Sequence, residues 1–155
     1  ANSEGWMTAQ VPLEDRWGWR SRVRLIEQAH AAAKRTNLLA LDDTPTEAEA
    51  LFCFVSYLMA YRDEGSTFWY GDLYRAESMR WYAFYEAKLG APVAAMAEAS
   101  TAGVFVRRFE RGVVFVNAGD VERRVMLPDA TAGGEGQGVS EVILAAKEGR
   151  ILLSE

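Results

Sequence analysis

Two hydrophobic periods divide the chain. To about Leu89, apolar residues recur at helical spacing, interrupted by short continuous apolar runs; from about Val93 they recur at every second residue. Within Arg16 to Arg35, the residues Trp19, Val23, Ile26, His30 and Ala33 share one face. Arg20, Arg22, Arg24 and Glu27 lie largely away from it, which predicts an amphipathic helix. Asn37 to Leu41 is a short apolar run ending in Asp42-Asp43, and its length predicts a strand buried on both faces. Thr44-Pro45-Thr46-Glu47 predicts a helix start, with Thr44 as cap, Pro45 in the first helical position and Glu47 closing a capping box. That helix runs to about Tyr61 and is apolar almost all round, through Leu51, Phe52, Phe54, Val55, Tyr57, Leu58 and Met59. It must be covered by more protein than the chain obviously offers. Ser66 to Tyr70 predicts a second strand, ending at Gly71-Asp72, and Arg75 to Lys88 a third helix carrying Trp81, Phe84 and Tyr85. Helix, strand, helix, strand, helix is the order of an α/β protein with parallel strands.

Gly90-Ala91-Pro92 closes this part, since Gly past a helix and Pro soon after form a common stop. Val104 to Phe109 and Val113 to Asn117 then flank Glu110-Arg111-Gly112, a hairpin signal in which Gly112 can take positive φ. A third strand follows through Val121, Val125 and Leu127. Thr131 to Gly138 is Gly-rich and reads as a loop. Val139 to Leu144 and Ile151 to Leu153 are two last strands, turning through Lys147-Glu148-Gly149. This half predicts a small antiparallel sandwich, with Phe105, Phe109 and Phe115 as its core.

Composition narrows the function. Half of the 155 residues are hydrophobic, which excludes wholesale disorder. Seventeen basic against 22 acidic residues leave a net charge of −5, which gives no footprint for nucleic acid or an anionic membrane. No apolar run is long enough to span a bilayer, and no charged-then-apolar leader is read at the start. The chain is expected to be soluble, with its compartment open and secretion of a parent protein allowed. Its start, Ala1-Asn2-Ser3-Glu4, suits a chain processed or cut from something longer. Cys53 is the only cysteine, so no intrachain disulfide exists; inside an apolar helix it reads as a small core residue. His30 is the only histidine, and on an apolar face it reads as packed rather than catalytic. No serine-hydrolase motif, Cys/His metal cluster or phosphate-binding Gly loop is present, so neither cofactor nor metal is expected.

The stretch Val104-Phe105-Val106-Arg107-Arg108-Phe109-Glu110-Arg111-Gly112-Val113-Val114-Phe115-Val116-Asn117 resembles the pattern R-(R/E)-F-(E/D)-x-G-x-V-x-V-N-P of hypothetical glycoside hydrolase-like family 15, a group of barrel glycosidase-like proteins. Leu89-Gly90-Ala91-Pro92 resembles that family's L-G-x-P joint, and Val142 to Leu144 with Gly149 to Leu153 resemble its closing strands. The chain departs from the pattern at Ala118 and at Ala145-Ala146, where Pro is usual, changes that loosen turns. The resemblance implies α/β plus all-β architecture: the last βα units of a TIM barrel at residues 1–92, then a small antiparallel β-sandwich domain at 93–155. Glu4, Asp42 and Asp72 would then follow strands six, seven and eight, with the rest of the barrel upstream as a partner. The implied activity is hydrolysis of O-glycosidic bonds in a poly- or oligosaccharide.

Glycosidases commonly use two carboxyl groups, and in a barrel these follow strand C-termini. The resemblance points to Glu4 as acid/base, with the nucleophile on a fourth strand outside the chain. Gly5 allows a sharp exit there, and Trp6 offers a face on which a sugar can stack. Of Asp42 and Asp43, one binds sugar hydroxyls or assists the acid, or both serve turn and cap chemistry before Thr44. Trp69 or Tyr70 stacks on a sugar while Asp72 binds its hydroxyls, or all three pack and cap; alternation sends neighbouring side chains to opposite faces, so some of these aromatics are core. Trp19 reads as core, and Trp6 and Trp17 as freer cleft residues. The competing function is a non-catalytic carbohydrate-binding or structural module that braces a barrel.

Overall fold

The computed structural model describes residues 2–3, 6–42, 46–62, 66–72, 80–126 and 141–154. Strand β1 (Asn2–Ser3) is followed by α1 (Trp19–Ala31), β2 (Thr36–Asp42), α2 (Glu47–Ala60) and β3 (Ser66–Asp72). The three strands form one parallel sheet in the order β1-β2-β3. A single 3₁₀ turn (Ala83–Glu86) leads to β4 (Ala97–Glu98), β5 (Val104–Phe109), β6 (Gly112–Asn117), β7 (Arg123–Met126), β8 (Glu141–Leu144) and β9 (Glu148–Leu153). β4-β5-β6-β9 is an antiparallel sheet, and β7-β8 a smaller one.

The layers follow from which side chains are buried. Leu38, Ala40, Phe68 and Tyr70 face the helices, while Leu39, Leu41 and Trp69 alternate onto the other side of the parallel sheet and stay half-exposed. Helix α2 is buried through Phe52, Cys53, Val55, Ser56, Tyr57, Leu58 and Met59 because it has a sheet on each side: the parallel sheet, through β3, on one, and β5, β6 and β9 on the other. A single core therefore runs across residues 92 and 93. Phe105 and Phe109 belong to it rather than to a core between the two antiparallel sheets; Phe105 stacks on Trp19 at 4.4 Å. Phe115, with Val104, Val113, Val125, Val142 and Leu144, packs between those sheets. Both faces of β5 and β6 are consequently buried.

Polar groups inside this stack are paired. Trp19 Nε1 donates to Ser56 Oγ (2.8 Å), and Ser56 donates to Phe52 O (2.7 Å). Arg107, an arginine in the alternating pattern of β5, turns inward between Phe105 and Phe109 and is 7% exposed. Its Nη1 donates to Leu58 O (2.8 Å) and Met59 O (2.9 Å), and its Nε to Ala94 O (3.0 Å). These helix carbonyls belong to the last turn of α2, which has no intrahelical donors for them and carries the negative end of the helix dipole. Buried Asn117 likewise donates to the carbonyls of Val121, Leu144 and Ala145 and accepts from Gly119 N, fixing the turns around β6.

Several expected details are replaced. α2 is capped by Thr46, whose Oγ1 accepts from Glu49 N (3.2 Å) and donates to the Glu49 carboxylate (3.0 Å). The capping box is thus the second of two overlapping Thr-x-x-Glu patterns; Thr44 and Pro45 lie outside the described residues. The third helix is absent over residues 80–88 save for the 3₁₀ turn, with residues 73–79 outside the described set. Phe84 and Tyr85 instead pack on Phe54 at 5.7 and 5.0 Å, and aromatic residues hold a helix weakly enough for such packing to decide. Gly112 does not have positive φ; it lies in β6, where a Cβ would meet Leu152 O at 2.5 Å. Gly149 lies in β9 rather than in a turn, and Lys147 takes the positive φ of 55° instead. The bare Cα of Gly149 lets α2 lie against the sheet, for a Cβ there would stand 2.9 Å from Leu51 O and 3.0 Å from Phe52 Cα.

Gly149→Val should therefore force the helix off the sheet and lower stability by about 1–3 kcal/mol. Urea unfolding with an unchanged slope and a lower midpoint is the expected result; an unaltered midpoint would show that α2 does not depend on this close approach.

Candidate functional site

Parallel strands bring their C-terminal ends to one rim, and β2 and β3 end level with each other. Their register pairs Leu39 with Trp69, Leu41 with Gly71 and Asp42 with Asp72. β1 enters lower, with Ser3 beside Leu38, and the chain that leaves it still ladders onto β2 through Trp6 N to Leu39 O (2.8 Å). Asp42 and Asp72 therefore occupy adjacent main-chain positions at one end of the sheet, on the side where Glu4 follows β1 in sequence. Glu4 lies outside the described residues, as do the side chains of Asp42 and Asp72.

The aromatic candidates separate sharply. Trp6 is 1% exposed and belongs to the core. Its Nε1 donates to Arg22 O (3.2 Å), and Arg22 Nη1 donates back to Trp6 O (2.6 Å), locking the start of the chain onto α1. A ring so enclosed has no face for a sugar, which corrects the reading of Trp6 as a cleft residue. Tyr70 is also 1% exposed and faces the helices, so it too serves the core. Trp69, on the opposite face, keeps an accessible surface. Gly71 makes room for it: a Cβ on Gly71 would stand 2.8 Å from indole Cη2 and Cζ2, so the ring lies along the strand towards Asp72. Of the proposed stacking residues, Trp69 alone combines exposure with a place near the rim. Trp17 is 64% exposed with the Arg16 guanidinium 5.3 Å from its ring centroid, and Trp19 is core as expected.

Trp69 also borders a cavity of about 390 Å³ along the outer edge of β3, with Phe54, Tyr57, Phe68, Arg80, Trp81 and Tyr85. Trp81, one of the apolar residues of the expected third helix, is 74% exposed. Burial, with Tyr61 adding, pushes the Tyr57 hydroxyl well above the ordinary phenol range; burial, with Tyr82 and Cys53 adding, does the same for Tyr85. Both hydroxyls are thus neutral donors. Tyr57 donates to Ser66 O (3.2 Å), whereas Tyr85 Oη is buried with no hydrogen-bond partner among the described residues.

His30 is held in place. Its Nδ1 lies 3.2 Å from Ala60 O, which can only accept, so Nδ1 carries a proton; Nε2 then accepts from Ser66 Oγ (2.5 Å), itself the acceptor of Thr36 Oγ1 (2.6 Å). This chain ties α1 to the starts of β2 and β3, away from the rim. Among the described residues no three His, Cys, Asp or Glu gather as a metal site needs, and no helix is long and apolar enough to cross a membrane. Reading the sequence missed Arg107 and Asn117, which appear there only as an out-of-pattern charge and a strand-end amide. No family model matches the chain, and no curated protein matches it either.

The two tryptophans should respond differently to truncation. Trp6→Ala is expected to cost about 3–5 kcal/mol of stability, the usual range for a buried aromatic, and Trp69→Ala clearly less. Paired denaturant melts check this, and equal losses would contradict the placement of Trp69 on an open face.

Proposed function

We propose that this chain supplies the closing βα units of a (β/α)8-barrel glycoside hydrolase, with an antiparallel β-sandwich bracing them. The observation that carries the reading is the level pairing of Asp42 and Asp72 at the C-terminal ends of adjacent parallel strands, on a sheet whose Leu39, Leu41 and Trp69 face is only half-covered by the described residues. Parallel sheets are normally covered on both faces, and barrel enzymes place their chemistry at strand C-termini. Further βα units closing a barrel would bury that face and gather the strand ends.

In this reading Glu4 is the acid/base that protonates the leaving glycosidic oxygen. Asp42 and Asp72 hold sugar hydroxyls, and Trp69 stacks on a sugar ring. Trp6 and Tyr70 support the rim from within rather than touching substrate. The nucleophile or base comes from the remainder of the barrel, and the substrate is a poly- or oligosaccharide cleaved at an O-glycosidic bond. The β-part braces instead of binding polysaccharide, a role favoured by β5 and β6, whose two faces are both buried and leave no free platform there for sugar.

The chain alone, without the second carboxylate, is expected to show no turnover on a panel of aryl glycosides. Measurable turnover would place the complete machinery within these residues. In a protein with the barrel closed, Glu4→Gln should lower kcat by about 10²–10⁴-fold, the usual worth of a general acid. Unchanged activity would remove Glu4 from the reaction.

A further inference from the structure

At the other end of the parallel strands, where the C-terminal half of α1 and the end of α2 meet the antiparallel sheet, lies a cavity of about 470 Å³. Its wall carries Arg24 and Glu27 from α1, Arg62 just beyond α2, and Arg107 from β5. Among the described residues of this wall, three guanidinium groups against one carboxylate leave two positive charges, in a chain whose net charge is −5. Charge of one sign lining a low-dielectric recess concentrates counter-ions.

The arginines are also poorly satisfied by the protein itself. Arg107 spends Nε and Nη1 on three main-chain carbonyls, and these bring no formal negative charge to a side chain that is 93% buried. Its Nη2 makes no hydrogen bond with a described residue, and the side chain borders the cavity. Burial disfavours the Arg107 charge, Glu27 relieves it and Arg62 opposes it, so all three groups feel one another. Arg24 and Arg62 are exposed and make no ion pair among the described residues.

We propose that this cavity binds a phosphoryl dianion, held by Arg24, Arg62 and the free edge of Arg107. A phosphate monoester carries about −1.5 to −2 charge at neutral pH and three acceptor oxygens, which matches two uncompensated charges and three guanidinium groups. Arginine presents paired N–H donors that suit phosphate oxygens. Met59 and Met96 give the recess an apolar wall for an organic remainder, and its volume falls in the range of about 300–1,000 Å³ usual for small-molecule sites. The site does not depend on the glycosidase reading.

Calorimetric titration of the chain at constant ionic strength, held with chloride, tests it with two probes, inorganic phosphate and glycerol 3-phosphate. Saturable one-to-one binding of either is expected, and the tighter of the two identifies the source of the phosphoryl group. Arg24→Ala and Arg62→Ala, both at exposed positions that leave the core intact, should each weaken binding roughly tenfold, the worth of a charge-assisted hydrogen bond. Glu27→Gln should tighten it. No saturable heat with either probe, or affinity indifferent to both arginine substitutions, would overturn the proposal.

Discussion

Burial of α2 organises this molecule. A helix that is apolar on every side cannot be satisfied by one layer, because a sheet or a neighbouring helix covers only a stripe of it. Here the parallel sheet, through β3, takes one side and β5, β6 and β9 the other, and α1 adds Trp19 through its bond to Ser56. The requirement then spreads outward. β9 needs Gly149 to let the helix backbone approach, and the last turn of α2 needs donors once it is buried. Arg107 meets the second need from across the sheet interface, which explains an inward arginine in a strand otherwise alternating by the rules of a buried sheet.

This arrangement joins a candidate site to its support. α2 starts beside the rim where Asp42 and Asp72 end their strands, and its far end reaches the arginine-lined cavity. The antiparallel sheet grips the helix along its length, so it can stiffen the rim without touching it. Among the described residues, helices cover one face of the parallel sheet, and the other stays half-exposed. Leu39, Leu41 and Trp69 on the other face are the surface that a barrel interior would enclose.

Much of the order of elements could be read from the chain, because periods of 3.6 and two are imposed by geometry that any neighbour must respect. Helix α1, the two-residue period of β5 and β6, and the core positions of Trp19 and Cys53 were legible for that reason. What could not be read depended on contacts between distant segments. Trp6 looked free because nothing local covers it; α1 does, sixteen residues on. Gly112 and Gly149 looked like turn glycines, yet each makes room for another backbone, and local sequence carries no mark of that need. Residues 83–86 keep only a 3₁₀ turn because Phe54 recruits their rings. Of the candidate site, the strand ends were legible from Asp-terminated apolar runs. The division between Trp69 and Tyr70 required knowing which face the helices occupy.

Native-state hydrogen exchange on this chain measures directly whether α2 unites the two sheets. If it does, the amides of Phe52 to Ala60 share their slowest exchange, and its dependence on denaturant, with those of β6 and β9 and the central residues of β2. A strand group β5-β6-β9 that exchanges in a separate, earlier opening while α2 stays protected would contradict a single core built around that helix.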